Sequence, residues 1–429
     1  MDIETKQVLN FLQTGSEHVF LTGNAGTGKT TLINTFKNKS DKNIVTVAPT
    51  GVAAVNAGGE TIHSFFGFPP NITVEKAIYE AKKTRKAKLY NSLEVLIIDE
   101  ISMVRADLLD AIDIFLQTVR RHKISFGGVR VIMVGDLHQL PPVVTNYERE
   151  AIFAVYKSPY FFSSQCFQKL ISGLYKQIVF FELKTIYRQT DKKFIDILNR
   201  VRTNSVEEAD LDTLNSCLVD SESLDDYILL TTINDTADKV NEIKLNEIPG
   251  VLHVYHAQSI GEFQEKKAPT AKELRLKTGA KVMLLNNDPD NRWINGTVGT
   301  ILKVMDDEVM VKLQNGEIET IGPHTWTAYK TKFLESENKI ESIEVGSFKQ
   351  LPLRLAWAIT IHKSQGKTFE KVAIDFGRGA FAHGQVYVAL SRATKLSGLK
   401  LLRPINKEGI IVDVDVLDFL KNLKNLSDV

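Results

Sequence analysis

The chain has 429 residues, 43% of them hydrophobic and 24% charged, with a formal net charge of +1. That length exceeds one compact core, so two or more domains are expected, and the near-neutral charge confines any nucleic-acid contact to a local groove. Two cysteines, Cys166 and Cys217, exclude a disulfide scaffold and a four-cysteine zinc site, while the polar N-terminus and the lack of a membrane-length apolar run point to a soluble, cytoplasmic protein.

The first predicted strand, Val19–Thr22, leads into Gly23-Asn24-Ala25-Gly26-Thr27-Gly28-Lys29-Thr30. This satisfies G-x-x-x-x-G-K-[ST] at Gly23, Gly28, Lys29 and Thr30, with a helix-compatible stretch from Thr31 behind it. Glycines let backbone N–H groups close on phosphate oxygens, and the helix N-terminus adds its dipole. Lys29 is placed for the β- and γ-phosphates of a nucleoside triphosphate, and the Thr30 hydroxyl for Mg²⁺.

Further predicted strands, Ile44–Ala48, Val95–Ile98 and Val129–Val134, each end in a polar or glycine-bearing loop. Such alternation predicts an α/β domain with a parallel sheet and its function at the carboxyl ends of the strands. Asp99 then falls where it can hold Mg²⁺, and Glu100 where it can serve as base for the attacking water. Gln139, in Gly135-Asp136-Leu137-His138-Gln139, can sense a γ-phosphate. Residues 58–92 are read as an insertion that ends in a helix carrying five positive charges over 81–88. That run is either a phosphate contact or a solvated face.

Beyond strand Ile178–Leu183 comes Tyr187-Arg188-Gln189, and near the C-terminus Ser391-Arg392. Both arginines are candidate fingers for a γ-phosphate. Tyr227–Thr231, Lys281–Leu285, Val372–Asp375 and Leu399–Leu402 read as strands of a second α/β unit. Asn295-Gly296 and Asn315-Gly316 mark hairpins of a small antiparallel insertion. His63, Phe65, His138 and His362 are each either base-stacking or phosphate-contacting residues or ordinary core side chains. No His/Cys spacing fits zinc.

Taken in order, Gln7, the phosphate loop, Ala48-Pro49-Thr50-Gly51, Asp99-Glu100-Ile101-Ser102, Gly135 to Gln139, His362-Lys363-Ser364-Gln365-Gly366 and the Arg392 segment resemble superfamily-1 helicases. Thr61-Ile62-His63-Ser64-Phe65, Phe181 to Gln189, Phe194 to Arg200 and Leu355 to His362 are similar to the Pif-type 5′-to-3′ DNA helicases, relatives of the RecD type. The resemblance covers essentially the whole chain.

It implies two RecA-like domains: residues 1–57 with 93–182, and 183–301 with 346–429. A wedge insertion would occupy 58–92, and an SH3-like barrel 302–345. The implied nucleotide contacts are Gln7, at the adenine, residues Gly23 to Thr31 and Gly366. Lys29, Asp99, Glu100, Gln139, Arg188 and Arg392 would form the catalytic set. Thr50, Gly51, Val52, His63, Ser64, Phe65, His138, His362 and Lys363 would follow the DNA. The implied partners are single-stranded, forked and G-quadruplex DNA, acted on by a monomer. The chain lacks the long N-terminal extension of the eukaryotic members, so a compact bacterial or viral helicase core is expected. A translocase that does not unwind, and a nucleotide-switched binding module, are the competing readings.

Overall fold

The computed structural model describes residues 2–427 apart from 173–176, 188, 190, 220–223, 264–267, 291 and 335–338. The chain divides into two compact units. One comprises Met1–Tyr187, Tyr329–Glu344 and Asp413–Val429, the other Arg188–Ala328 and Val345–Val412.

The first unit is built on six parallel strands: β1 (His18–Gly23), β2 (Ile44–Ala48), β3 (Glu60–Thr61), β4 (Val95–Ile98), β5 (Arg130–Val134) and β6 (Ile178–Leu183). They lie in the order β3-β2-β4-β5-β1-β6. Leu96 and Ile98 join Phe20, Val131 and Met133 in one core, while Val95 and Ile97 join Val19, Leu21 and Ile132 in another. Burial on both faces is why these strands read as unbroken apolar runs. The helix Ala106–Arg120 covers the first face with Leu108, Leu109, Ile112, Phe115 and Leu116, at helical spacing, and stops where Arg121 turns left-handed at φ 53°.

Residues 58–92 have no core of their own. Glu60–Thr61 is the edge strand of the sheet, and Phe65, Phe66, Phe68, Ile72, Ala77, Leu89 and Tyr90 belong to the same core as Phe115. The charged run is also not one helix: Val74–Lys83 stops at Thr84, and Ala87–Ser92 starts afresh. The C-terminal helix Val414–Ser427, expected with the second domain, packs in the first unit instead. Val416 and Leu423 are buried there, and the Phe419 ring stacks on Phe162 at 4.2 Å. Its apolar stripe finds an aromatic surface of Phe161, Phe162 and Phe167 to cover.

In the second unit, Ala358–Thr360, Ile228–Thr231, Val372–Asp375 and Leu399–Leu401 form a four-stranded parallel sheet in that order. Lys281–Leu284, expected in this sheet, instead pairs antiparallel with Val298–Val304 and Leu353–Leu355. Val309–Leu313 and Ile318–Ile321 complete a five-stranded antiparallel sheet around Val282, Leu284, Ile301, Val309, Val311 and Leu353. The antiparallel part therefore begins well before residue 302 and extends past 345. Asn295-Gly296 and Asn315-Gly316 do form turns, their glycines taking φ of 104° and 91°.

Candidate nucleotide and strand sites

The loop after β1 is a cradle that side chains would spoil. Gly23, Gly26 and Gly28 take φ of 152°, 83° and 83°, and a Cβ on Gly23 would stand 2.6 Å from the Leu183 carbonyl oxygen. Thr27 Oγ1 donates to the Asn24 carbonyl at 3.0 Å and holds the turn. The helix Lys29–Asn38 starts directly after Gly28, with no side-chain cap on its first N–H groups. Lys29 Nζ rests on the loop, donating to the carbonyls of Gly23 (2.7 Å) and Asn24 (3.0 Å). Ala25 is buried, Gly26 and Gly28 are half-buried, and the side chains of Thr30 and Thr31 are exposed on the first helical turn. These conformations and donors fit a polyphosphate.

Asp99 and Glu100 follow β4, two strands from β1 in the sheet. Burial pushes the Asp99 carboxyl up, while the Glu100 N–H, at 2.9 Å, and the charges of Lys29 and Lys37 pull it back. Glu100 is one of few non-glycine residues with positive φ (φ 50°, ψ 45°). A glutamate held in this region stores strain, which gathers at functional positions. A hydroxyl on Thr30 and a carboxylate on Asp99 are the hard oxygen donors Mg²⁺ takes. After β5, Gln139 is buried, its amide Nε2 3.4 Å from Asp136 Oδ2.

Gln7 is exposed on the helix Ile3–Thr14. Sequence reasoning passed over Tyr187. Its backbone N–H donates to the Gly26 carbonyl at 3.0 Å, its hydroxyl donates to Asp2 at 2.8 Å, and its ring passes 3.9 Å from a Cβ placed on Gly28. The ring stays 58% exposed, a free aromatic face beside the phosphate cradle. A tyrosine between a strand end and Arg188 was the available signal. Arg188 itself lies outside the described residues, as does the side chain of Val52.

In the second unit, Arg392 is fully enclosed. Its Nε donates to the Val388 carbonyl at 2.8 Å, and its Nη1 to the carbonyls of Ser364 (3.2 Å) and Lys367 (3.0 Å). It thus holds the loop that contains Gly366, whose φ is 76°. Gln189 anchors to the same segment, its amide donating to the Ser391 carbonyl at 2.9 Å. A guanidinium tied in this way braces that loop.

Among the expected strand contacts, Thr50 caps the helix Gly51–Asn56, accepting from the Ala53 N–H at 3.2 Å. His63 and Ser64 are half-buried, and Ser64 Oγ donates to Glu60 at 3.0 Å. Phe65 is not a surface residue. It is fully buried against Phe66 and Tyr90, and its carbonyl accepts the Tyr90 hydroxyl at 2.7 Å. His138 is likewise buried, so the structure does not present its ring on a surface. His362 and Lys363 are exposed on the turn after Ala358–Thr360, and partial desolvation lowers both pKa values.

A phosphate cradle and an acidic pair on the strand ends of a parallel sheet, with a second parallel α/β unit in the same chain, define a P-loop nucleotide-binding protein of the two-unit motor type. Residues 3–212 match the family described as PIF1-like helicase, and residues 306–409 match a second family described as helicase. The chain is 36% identical to the ATP-dependent DNA helicase Pif1 of Bdellovibrio bacteriovorus, over 99% of this chain and 92% of that one. The zebrafish (Danio rerio) helicase PIF1 is 35% identical over 98% of this chain, which spans 64% of the longer relative. Bacteroides Pif1 in complex with ADP-AlF4 is 38% identical and superposes with a TM-score of 0.90, over 99% of this chain and 97% of that one. The same Bacteroides protein has been solved bound to single-stranded DNA, at a TM-score of 0.67 with the same coverage of both chains. The chain belongs to the Pif1-like family of ATP-dependent DNA helicases.

Proposed function

We propose that this chain moves 5′-to-3′ along single-stranded DNA, driven by ATP hydrolysis, and opens the duplex ahead of it. G-quadruplexes and DNA–RNA hybrids are further substrates of the same motor. The observation that carries the reading is the phosphate cradle of Gly23 to Thr30, with Asp99 and Glu100 at a nearby strand end. The single-stranded DNA held by the Bacteroides relative supports the choice of substrate.

Each residue has a role within this reading. Gln7 reads the adenine edge and Tyr187 lends its exposed face to the ring. Lys29 leaves the loop carbonyls for the β- and γ-phosphate oxygens. Thr30 and Asp99 hold Mg²⁺, which when bound offsets charge on the phosphate oxygens. Glu100 accepts a proton from the attacking water, and Gln139 and Arg188 face the γ-phosphate. Arg392 acts at one remove, by fixing the Ser364–Lys367 loop. Thr50, Gly51, His63, Ser64, His362 and Lys363 follow the strand. Residues 58–92 split the fork, the antiparallel part of the second unit is an SH3-like barrel, and the protein works as a monomer.

The test uses two partial duplexes, one with a 5′ single-stranded tail and one with a 3′ tail, and Lys29→Ala as control. ATP-dependent opening of the 5′-tailed duplex alone, lost in the variant, is the expected result. Opening of the 3′-tailed duplex alone overturns the polarity. Opening of neither, with DNA-stimulated hydrolysis intact, leaves a translocase.

A further inference from the structure

One cavity in the second unit shares Lys363 with these roles, while the rest of its charged lining has none. It encloses about 410 Å³ and is lined by residues of the helix Asn234–Glu247, the strands Leu353–Leu355 and Ala358–Thr360, and residues 270–275. Of its charged lining only Arg354 is drawn back from solvent. Asp238, Glu242 and Glu273 are exposed, and Glu242 stands 4.0 Å from Arg275. Arg354 is half-buried and lines the cavity together with Lys363.

Arg354 has more donors than partners. A guanidinium carries five N–H groups. Among the described residues, Arg354 makes one side-chain hydrogen bond, from Nη2 to the Pro269 carbonyl at 2.7 Å, and no ion pair. Desolvation lowers its pKa, and the charge of Asp238 offsets this in part. Lys363 lines the cavity with Arg354, and the charge of Arg354, after burial, lowers the pKa of both Lys363 and Lys367, the latter outside the lining. Lys367 Nζ donates to Asn295 Oδ1, a neutral partner. The half-buried Arg354 and Lys367 and the exposed Lys363, none in an ion pair among the described residues, leave positive charge here that an anion would offset. The turn His362–Ser364, exposed at His362 and Lys363, adjoins this cavity.

We propose that Arg354, together with Lys363, seats one phosphodiester of the bound single strand in this cavity. The inference rests on the single-strand reading above and adds a binding residue to it. A phosphodiester offers two oxygens that a planar guanidinium can take together. Inorganic phosphate or a free nucleotide carries the same oxygens, so the test separates them from the strand.

The measurement is binding of a labelled oligo(dT) to the full chain across a sodium chloride series. Arg354→Gln is expected to weaken binding about 3- to 10-fold and to lower the slope of log affinity against log salt by about 0.7, one single-strand phosphate contact. A mixed-sequence oligonucleotide should lose the same factor, because phosphate contacts carry no base information. Arg354→Lys should restore the slope but not the full affinity. Asp238→Asn removes the exposed carboxylate that opposes the seat and should tighten binding, an effect no folding defect produces. An unchanged slope in Arg354→Gln, or unchanged affinity in Asp238→Asn, overturns the proposal. So does a site for free phosphate, seen as inorganic phosphate competition lost in Arg354→Gln while the strand slope stays at wild type. If the wild-type chain binds no oligonucleotide, the single-strand reading itself falls. Normal strand binding with indifferent variants sinks only the Arg354 seat.

Discussion

Glu100 joins a proposed catalytic position to a strained backbone. Its side chain is the proposed base, and its φ of 50° is disfavoured for any residue with a Cβ. Glu100→Gln keeps the shape and removes the base. It should lower DNA-stimulated hydrolysis by about 100-fold or more while a nucleotide analogue still binds, as read by phosphate release and by titration of a fluorescent analogue. Hydrolysis at the wild-type rate would assign the base elsewhere. His18 offers a second test at the same scale. Its Nδ1 accepts the Val131 N–H at 2.9 Å, and burial first, then the charge of Arg130, pushes its pKa down to about 4. In the unfolded chain a histidine titrates near 6.5. Between these values the unfolded chain holds a proton that the native one lacks, so native stability is full above about pH 6.5 and falls as the pH drops toward 4. The loss amounts to up to about 3 kcal/mol. His18→Asn, which keeps an acceptor where Nδ1 stood, should flatten this dependence in denaturant titrations at pH 7.5, 6 and 5. Single residues were legible in the sequence where their function is local. The cradle from Gly23 to Thr30 is contiguous, so its pattern survives without a structure. Phe65 was not legible, because its burial against Tyr90 depends on a helix some 25 residues away.

Elements were legible where one periodicity ruled them. β1, β2, β4 and β5 are apolar on both faces, and they lie in the sheet the sequence suggests. Lys281–Leu284 is just as apolar, yet it is antiparallel, because a short buried run does not say which way its neighbours point. The C-terminal helix illustrates the same limit: its stripe of Val416, Phe419 and Leu423 announces a buried face without naming what covers it. The partner is the aromatic surface of Phe161, Phe162 and Phe167, over 240 residues earlier in the chain. That packing carries a prediction. Phe419→Ala should cost about 2–4 kcal/mol, since it removes a stacked ring from a packed site. Thermal unfolding of the first unit should shift down accordingly, whereas Phe419→Leu should recover most of the loss. Equal stability of Phe419→Ala and wild type would mean that the helix contributes nothing to that core.

At the scale of the whole molecule, the chain passes between the two units after Tyr187, Ala328, Glu344 and Val412. Neither unit is a simple segment, so the sequence alone could not draw their boundary at the right places. The proposed chemistry is divided as well. The phosphate cradle, Glu100 and Tyr187 belong to the first unit, and Arg392 with its braced loop and the His362–Lys363 turn to the second. A motor needs these two sets to respond to each other, and that requirement can be measured without any unwinding assay. If ATP and the single strand bias the same conformational equilibrium, a non-hydrolysed ATP analogue changes strand affinity by some factor. The strand must then change analogue affinity by the same factor, because binding free energies close a thermodynamic cycle. A factor of about 5- to 150-fold corresponds to the usual coupling of 1–3 kcal/mol. Two fluorescence titrations in each direction fix it, and their agreement checks that equilibrium was reached. Arg392→Lys keeps the charge but cannot hold the carbonyls of Val388, Ser364 and Lys367 at once. It should therefore bring the factor toward one while each ligand alone still binds. A factor of one in the wild-type chain would mean that nucleotide and strand are held independently, and no stepping mechanism could then be built on these two units.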